Sequence, residues 1–173
     1  MLSTVNTIIA ISTVLIGLWS IDVLILRTKL GAKFPWYQNF IEKNELLIGT
    51  AVSWGGVLGS LFYSDIIGYE PCPLCWWIRI FLYSSALIMI IALYHRDYSV
   101  FRYIKALSLV GALFGLYMLL MAWFPGAGLT CSATELCLRE YVKVWGFVTI
   151  PFMSFMTSVF LFSLSLFATR KNR

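Results

Sequence analysis

The run LCWWIRIFLYSSALIMIIALY, Leu74–Tyr94, is almost unbroken apolar sequence, and its single charge is Arg79. A bilayer core needs roughly 20 helical residues to cross it, so this run reads as a transmembrane helix. Outward from it, four more stretches of similar character lie at about Val5–Leu26, Leu46–Asp65, Ile104–Phe124 and Val144–Ala168. Backbone groups in lipid must be hydrogen-bonded internally. A closed barrel would show many short alternating strands, and these runs are continuous, which predicts helices. The rest of the composition agrees. Of 173 residues, 60% are hydrophobic and 12% charged, where a soluble domain carries about a quarter charged. Mean hydropathy is +0.84. The expected fold class is all-α: a polytopic membrane protein with a four-helix transmembrane bundle plus one additional N-terminal transmembrane helix. That first stretch has no basic segment before it and no small-residue cleavage site ahead of Arg27 and Lys29, so it reads as a retained helix.

The net charge of +5 does not form a nucleic-acid patch, because the basic residues are spread over alternate loops. Arg27, Lys29, Lys33 and Lys43 lie between the first two stretches, Arg96, Arg102 and Lys105 between the third and fourth, and Arg170, Lys171 and Arg173 at the C-terminus. The opposite side holds Arg139 and Lys143. Ten against two places the three basic segments in the cytoplasm. The N-terminus then faces outward and the C-terminus inward.

All four cysteines fall on the outer side, in two pairs: Cys72-Pro73-Leu74-Cys75, and Cys131 with Cys137 in the next outer loop. Outside the bacterial cytoplasm disulfides persist, and two pairs on one face point to electrons passed from one disulfide to another. Pro73 suits a first helical turn, where a missing N–H costs nothing. Unpaired N–H groups at a helix start stabilise a thiolate, and Cys75 is read as the cysteine near them. A static disulfide and half of a zinc site are the alternatives. Proline within the motif and immediate burial in lipid fit zinc poorly, so no metal is expected. Arg79 follows Cys75 by four residues, on the same face one turn deeper. There it either serves a site, donating to a carbonyl of a lipid-borne cofactor, or snorkels to headgroups. Trp76 and Trp77 read as interfacial anchors that also have the chemistry to line a pocket.

The second pair follows Pro125-Gly126-Ala127-Gly128. Its segment is read as a short amphipathic element on the membrane surface, either a disulfide open to exchange or a structural staple. Gly55, Gly56, Gly59 and Ser60, and likewise Gly111 and Gly115, have small-residue spacings that predict close helix packing. Pro151 is expected to kink the last helix. His95 is expected in a cytoplasmic loop, and Asp22 at the inner interface. Asp65 and Glu70 lie near the first pair as candidate proton relays.

These residues together resemble the DsbB family of disulfide-generating membrane proteins, its BdbC-like branch in particular. The resemblance is carried by Cys72-Pro-Leu-Cys75-Trp76-Trp77-Ile-Arg79, by the second pair, and by Gly146-Phe-Val-Thr-Ile-Pro151-Phe. It covers about residues 46–168 and divides the chain into 1–45, a helix and cytoplasmic loop, and 46–173, a four-helix redox bundle. The vitamin K epoxide reductase family places its loop pair before its CxxC, the reverse of the order here. The resemblance implies a protein-dithiol:quinone oxidoreductase of the cell membrane. Such a protein reoxidises an extracytoplasmic thioredoxin-like (DsbA-like) partner and passes the electrons to ubiquinone or menaquinone. It further implies that Cys131 and Cys137 exchange with the partner, that Cys72 exchanges with them, and that Cys75, Arg79 and Trp76 face the quinone. The sequence alone also admits a reductase running in the reverse direction, although no cytoplasmic cysteine is present to feed it. A scaffold braced by its disulfides is the non-catalytic alternative.

Overall fold

A computed structural model describes residues 2–26, 35–124 and 141–171. It contains α1 (Leu2–Leu26), α2 (Pro35–Leu61), α3 (Pro73–His95), α4 (Phe101–Trp123) and α5 (Ile150–Lys171). All five are long and apolar enough to cross a membrane. The chain is a helical multi-pass membrane protein, and among the described residues the only β pairing is an isolated bridge between Val144 and Val148. Helices α2 to α5 pack in a ring, α2 on α3, α3 on α4, α4 on α5 and α5 back on α2, while α1 lies outside the ring against α5. The last helix is therefore the hub, and Phe160, Leu161 and Leu164 on it are essentially inaccessible. Several serines are buried in the same bundle. Ser53, Ser85 and Ser163 each donate to the carbonyl one turn back, so these three hydroxyls are satisfied within the apolar interior.

Three local readings of the sequence are corrected. Helix α2 begins at Pro35, so 35–45, expected as loop, is helical and Lys43 rides on the helix. At about 1.5 Å per residue this helix is longer than a bilayer core, and its charged first turns lie beyond the apolar window that hydropathy detects. The last helix begins at Ile150 rather than near Val144. Before it, Trp145 (φ 52°) and Gly146 (φ 80°) make a tight turn closed by the Val144–Val148 bridge. Pro151 thus occupies the first turn of α5, where proline is tolerated, and starts the helix instead of kinking it. Third, the glycines differ in role. A Cβ on Gly115 would sit 3.1 Å from the Phe155 backbone, a true close approach, whereas one on Gly55 or Gly59 meets nothing within 4 Å.

Helices α3 and α4 are joined by a short turn. Arg96 adopts a left-handed conformation after His95, and the Asp97 carboxylate accepts from the Ser99 N–H at 2.9 Å to start the Tyr98–Val100 3-10 turn. At the other end, α2 runs into a π-helical turn, Phe62–Ile66. Such turns are rare and concentrate at functional sites. It leads directly into the segment that carries Cys72. The second pair, Cys131 and Cys137, lies outside the described residues, as do Arg27, Lys29, Lys33 and Arg139.

Candidate functional site

Pro73 fixes the first turn of α3 and leaves Cys72 as its N-cap in extended conformation. The Cys72 sulfur then sits where a capping serine oxygen would, and accepts from the Cys75 N–H at 3.3 Å. The two sulfurs lie 2.9 Å apart. The helix-end N–H therefore points at Cys72, not Cys75 as the sequence reading had it. Spacing alone identifies a helix start; only the backbone shows which sulfur caps it.

Cys72 precedes the membrane-spanning segment, and its thiol is lowered from 9.0 to about 6. The hydrogen bond from the Cys75 side chain is the main cause; burial opposes it and backbone N–H groups add to it. A depressed thiol favours the reduced fold fully above pH 9.0, and that contribution is lost as pH falls through about 6. Ultraviolet thiolate absorbance of the reduced protein, with Cys131 and Cys137 replaced by serine, is expected to titrate with a midpoint near 6. Cys75→Ala removes the main donor and raises that midpoint. A midpoint at the ordinary thiol value in the parent protein would show that Cys72 is not held as a thiolate.

Both cysteines line a cavity of about 480 Å³ that also reaches Ser60, Arg79, Tyr141 and Thr149. This is within the range of sites that hold small molecules, and most of the wall is apolar. Arg79 Nη2 donates to the Ser60 carbonyl at 3.1 Å, and its guanidinium lies 5.3 Å over the ring of Trp76. The arginine is thus held between two helices, just before the π turn, rather than stretched toward headgroups. Trp76 and Trp77 are half exposed; neither lines the cavity, and Trp76 reaches it only by supporting Arg79. Glu70 is exposed at the cavity's edge, while Asp65 lies off it and accepts from Ser64 at 2.9 Å. His95 ends α3, exposed and edge-on to Tyr94. Among the described residues no three His, Cys, Asp or Glu side chains converge as a metal site would need.

Two features escaped the sequence reading. Thr149 is 6% exposed, and among the described residues its Oγ1 has no hydrogen-bond partner. An orphaned buried hydroxyl costs about 1–3 kcal/mol, which marks a place where a polar group of a ligand fits. The second is a stack of tyrosines. Tyr69 lies 6.1 Å from Tyr63 and 4.6 Å from Tyr141, with near-parallel rings. It ties the π turn, the approach to Cys72 and the approach to α5 together. Tyrosines beside both cysteine pairs were visible in the sequence, but nothing in their spacing announced that they meet.

The family model for "Disulfide bond formation protein DsbB" matches residues 42–168. "Probable disulfide formation protein C 1" of Bacillus cereus is 39% identical over 120 residues, covering 65% of this chain and 84% of that protein. "SPbeta prophage-derived disulfide bond formation protein B" of Bacillus subtilis is 33% identical over 125 residues, covering 72% and 84%. "Disulfide bond formation protein C" of Bacillus subtilis is 34% identical over 107 residues, covering 61% and 78%. No solved structure gives a significant match. The family span takes in most of α2, all of α3 and α4, the CxxC with most of its cavity wall, and nearly all of α5, and on that ground the chain belongs to the DsbB family of disulfide bond formation proteins.

Proposed function

We propose that this protein oxidises an extracytoplasmic thioredoxin-like dithiol protein and delivers the electrons to a membrane quinone. The observation that carries the reading is the cavity shared by Cys72, Cys75 and Arg79 at the end of a membrane helix. The residues present fit such an acceptor. A mostly apolar wall suits a lipid-soluble ring, and the Arg79 guanidinium and the orphaned Thr149 hydroxyl are donors suited to carbonyl oxygens. The quinone, when bound, supplies the sink for two electrons and two protons and leaves as quinol.

The chain's own residues divide the work. A thiolate of the partner attacks the Cys131–Cys137 disulfide, forming a mixed disulfide and freeing one thiol. The partner's second thiol resolves that bond and leaves the partner oxidised. A thiolate of the reduced loop pair then attacks Cys72 in the Cys72–Cys75 disulfide, and Cys75 departs toward the acceptor. At most about 14 Å of extended chain separates Cys137 from Tyr141. The Tyr69–Tyr141 stack keeps that anchor beside the segment leading to Cys72, which favours exchange between the pairs. When the loop pair closes, Cys72 is released with its sulfur on the helix N-terminus, a good leaving group. Arg79 holds positive charge one turn beyond Cys75. The excess of basic residues on the other side supports an outward-facing site.

The test is anaerobic quinone reduction by the purified full-length protein, supplied with a reduced thioredoxin-like dithiol protein. Stoichiometric quinol and oxidised partner support the reading. Electron flow only from quinol to an oxidised partner would favour the reductase, and no flow in either direction the braced scaffold. Arg79→Met keeps the volume of the side chain and loses its donors. It is expected to raise the KM for quinone about tenfold or more, the worth of one charged hydrogen bond. An unchanged KM would remove Arg79 from the site.

A further inference from the structure

Helix α1 lies outside the family-matched residues 42–168, yet it supplies part of the cavity wall. It packs along α5, while α2 packs on α3 and α5. Two hydrogen bonds join α1 to the α2 arm at its ends. Tyr63 Oη donates to Asn6 Oδ1 at 3.0 Å near the CxxC, and Trp19 Nε1 donates to Tyr37 Oη at 2.8 Å at the opposite end. Between these two clamps the helices stand apart. Ile9, Thr13 and Ile16 face the gap from α1, and Ala51, Gly55 and Gly59 from α2. The Ser12 and Thr13 hydroxyls on this wall are spent on the Ile8 and Ile9 carbonyls at 2.9 and 2.8 Å, so the α1 wall is effectively apolar. The glycines here border open space, since a Cβ on Gly55 or Gly59 touches nothing within 4 Å.

The gap is part of the same cavity that reaches Cys75, Arg79 and the unpartnered Thr149 hydroxyl. An apolar trough that ends at hydrogen-bond donors and a redox-capable sulfur matches an amphiphile with a carbonyl-bearing head and a hydrocarbon tail. We propose that α1 is the outer wall of the acceptor site and that the fissure between α1 and α2 seats the polyprenyl tail of a membrane quinone. The identity of the head rests on the quinone reading above. A phospholipid acyl chain is also an apolar rod, but the fissure's continuity with Cys75 and Arg79 favours a tail attached to the reacting head.

Gly55→Leu and Gly59→Leu in the full-length chain test this. Both place a side chain in open space on a helix, where leucine is the better helix former, and thermal unfolding checks that each variant is folded. Two readouts are taken. One is the amount of polyprenyl quinone retained by the detergent-purified protein, measured by solvent extraction. The other is the ratio of KM for a long-tailed quinone to that for its tailless analogue. The expected result is loss of most retained quinone and a rise in that ratio of about tenfold, the worth of a few buried methylenes. The milder Gly55→Ala and Gly59→Ala shift both readouts in the same direction by less. Full retention with an unchanged ratio overturns the inference, and so does loss of copurifying phospholipid in place of quinone. Retained quinone that both leucine variants lose supports the tail site even if the parent protein reduces no quinone, in which case only the catalytic reading fails.

Discussion

Cys75→Ser is expected to abolish quinone reduction whatever the thiol donor, a loss of at least about 1,000-fold, because the residue proposed to face the acceptor can no longer exchange a sulfur bond. Cys72→Ser is expected to do the same, and it is the cleaner experiment. Cys72 is the N-cap of α3, accepting from the Cys75 N–H, and serine is among the preferred residues at that position. The helix start is therefore kept, and lost turnover reports lost chemistry. The second pair separates from the first by choice of donor. With dithiothreitol, which can reduce the Cys72–Cys75 bond directly, Cys131→Ser is expected to keep turnover. With the dithiol protein as donor it is expected to lose it. If Cys131→Ser stops both reactions while Cys75→Ser stops neither, the roles of the two pairs are the reverse of those proposed.

Much of this architecture is legible in the sequence, for reasons that differ by region. Hydropathy found the five helices because lipid demands long apolar runs. It misplaced two ends for one shared reason: hydropathy tracks the solvent, and the helix is set by the backbone. At Pro35–Leu61 the helix continues past the lipid into Glu42, Lys43 and Glu45. At Val144–Thr149 the apolar character continues past the helix into a turn with two positive φ values. The placement of the CxxC, Pro73 and Arg79 at one helix start was readable because it depends on spacing along one helix. Contacts between helices were not. The Arg79–Ser60 bond, the Tyr63–Tyr69–Tyr141 stack and the α1 wall each join residues far apart in the chain, and no periodicity encodes them.

The glycines show the same limit most sharply, and they supply a prediction that separates two meanings of one residue type. Gly115 faces Phe155 across the α4–α5 contact, with a Cβ position 3.1 Å from the Phe155 Cα and Cβ and 3.4 Å from its N. Those are mostly backbone atoms, so no rotamer change relieves the clash and the two helices must separate. Gly115→Leu is expected to destabilise the protein by about 3 kcal/mol, the upper part of the usual range for overpacking. Gly115→Ala needs a shift of only a few tenths of an ångström and is expected to cost about 1 kcal/mol. Gly55→Leu makes the same chemical change on α2, in a stretch with the same small-residue spacing. It is expected to stay within about 0.5 kcal/mol of the parent, because its Cβ enters open space. Unfolding in mixed micelles of rising sodium dodecyl sulfate fraction ranks the three variants. Equal losses for Gly115→Leu and Gly55→Leu would mean that both glycines are helix contacts, and the gap between α1 and α2 would then be closed in the membrane. Unequal losses leave Gly115 as a close contact between two helices and Gly55 as the border of an open gap.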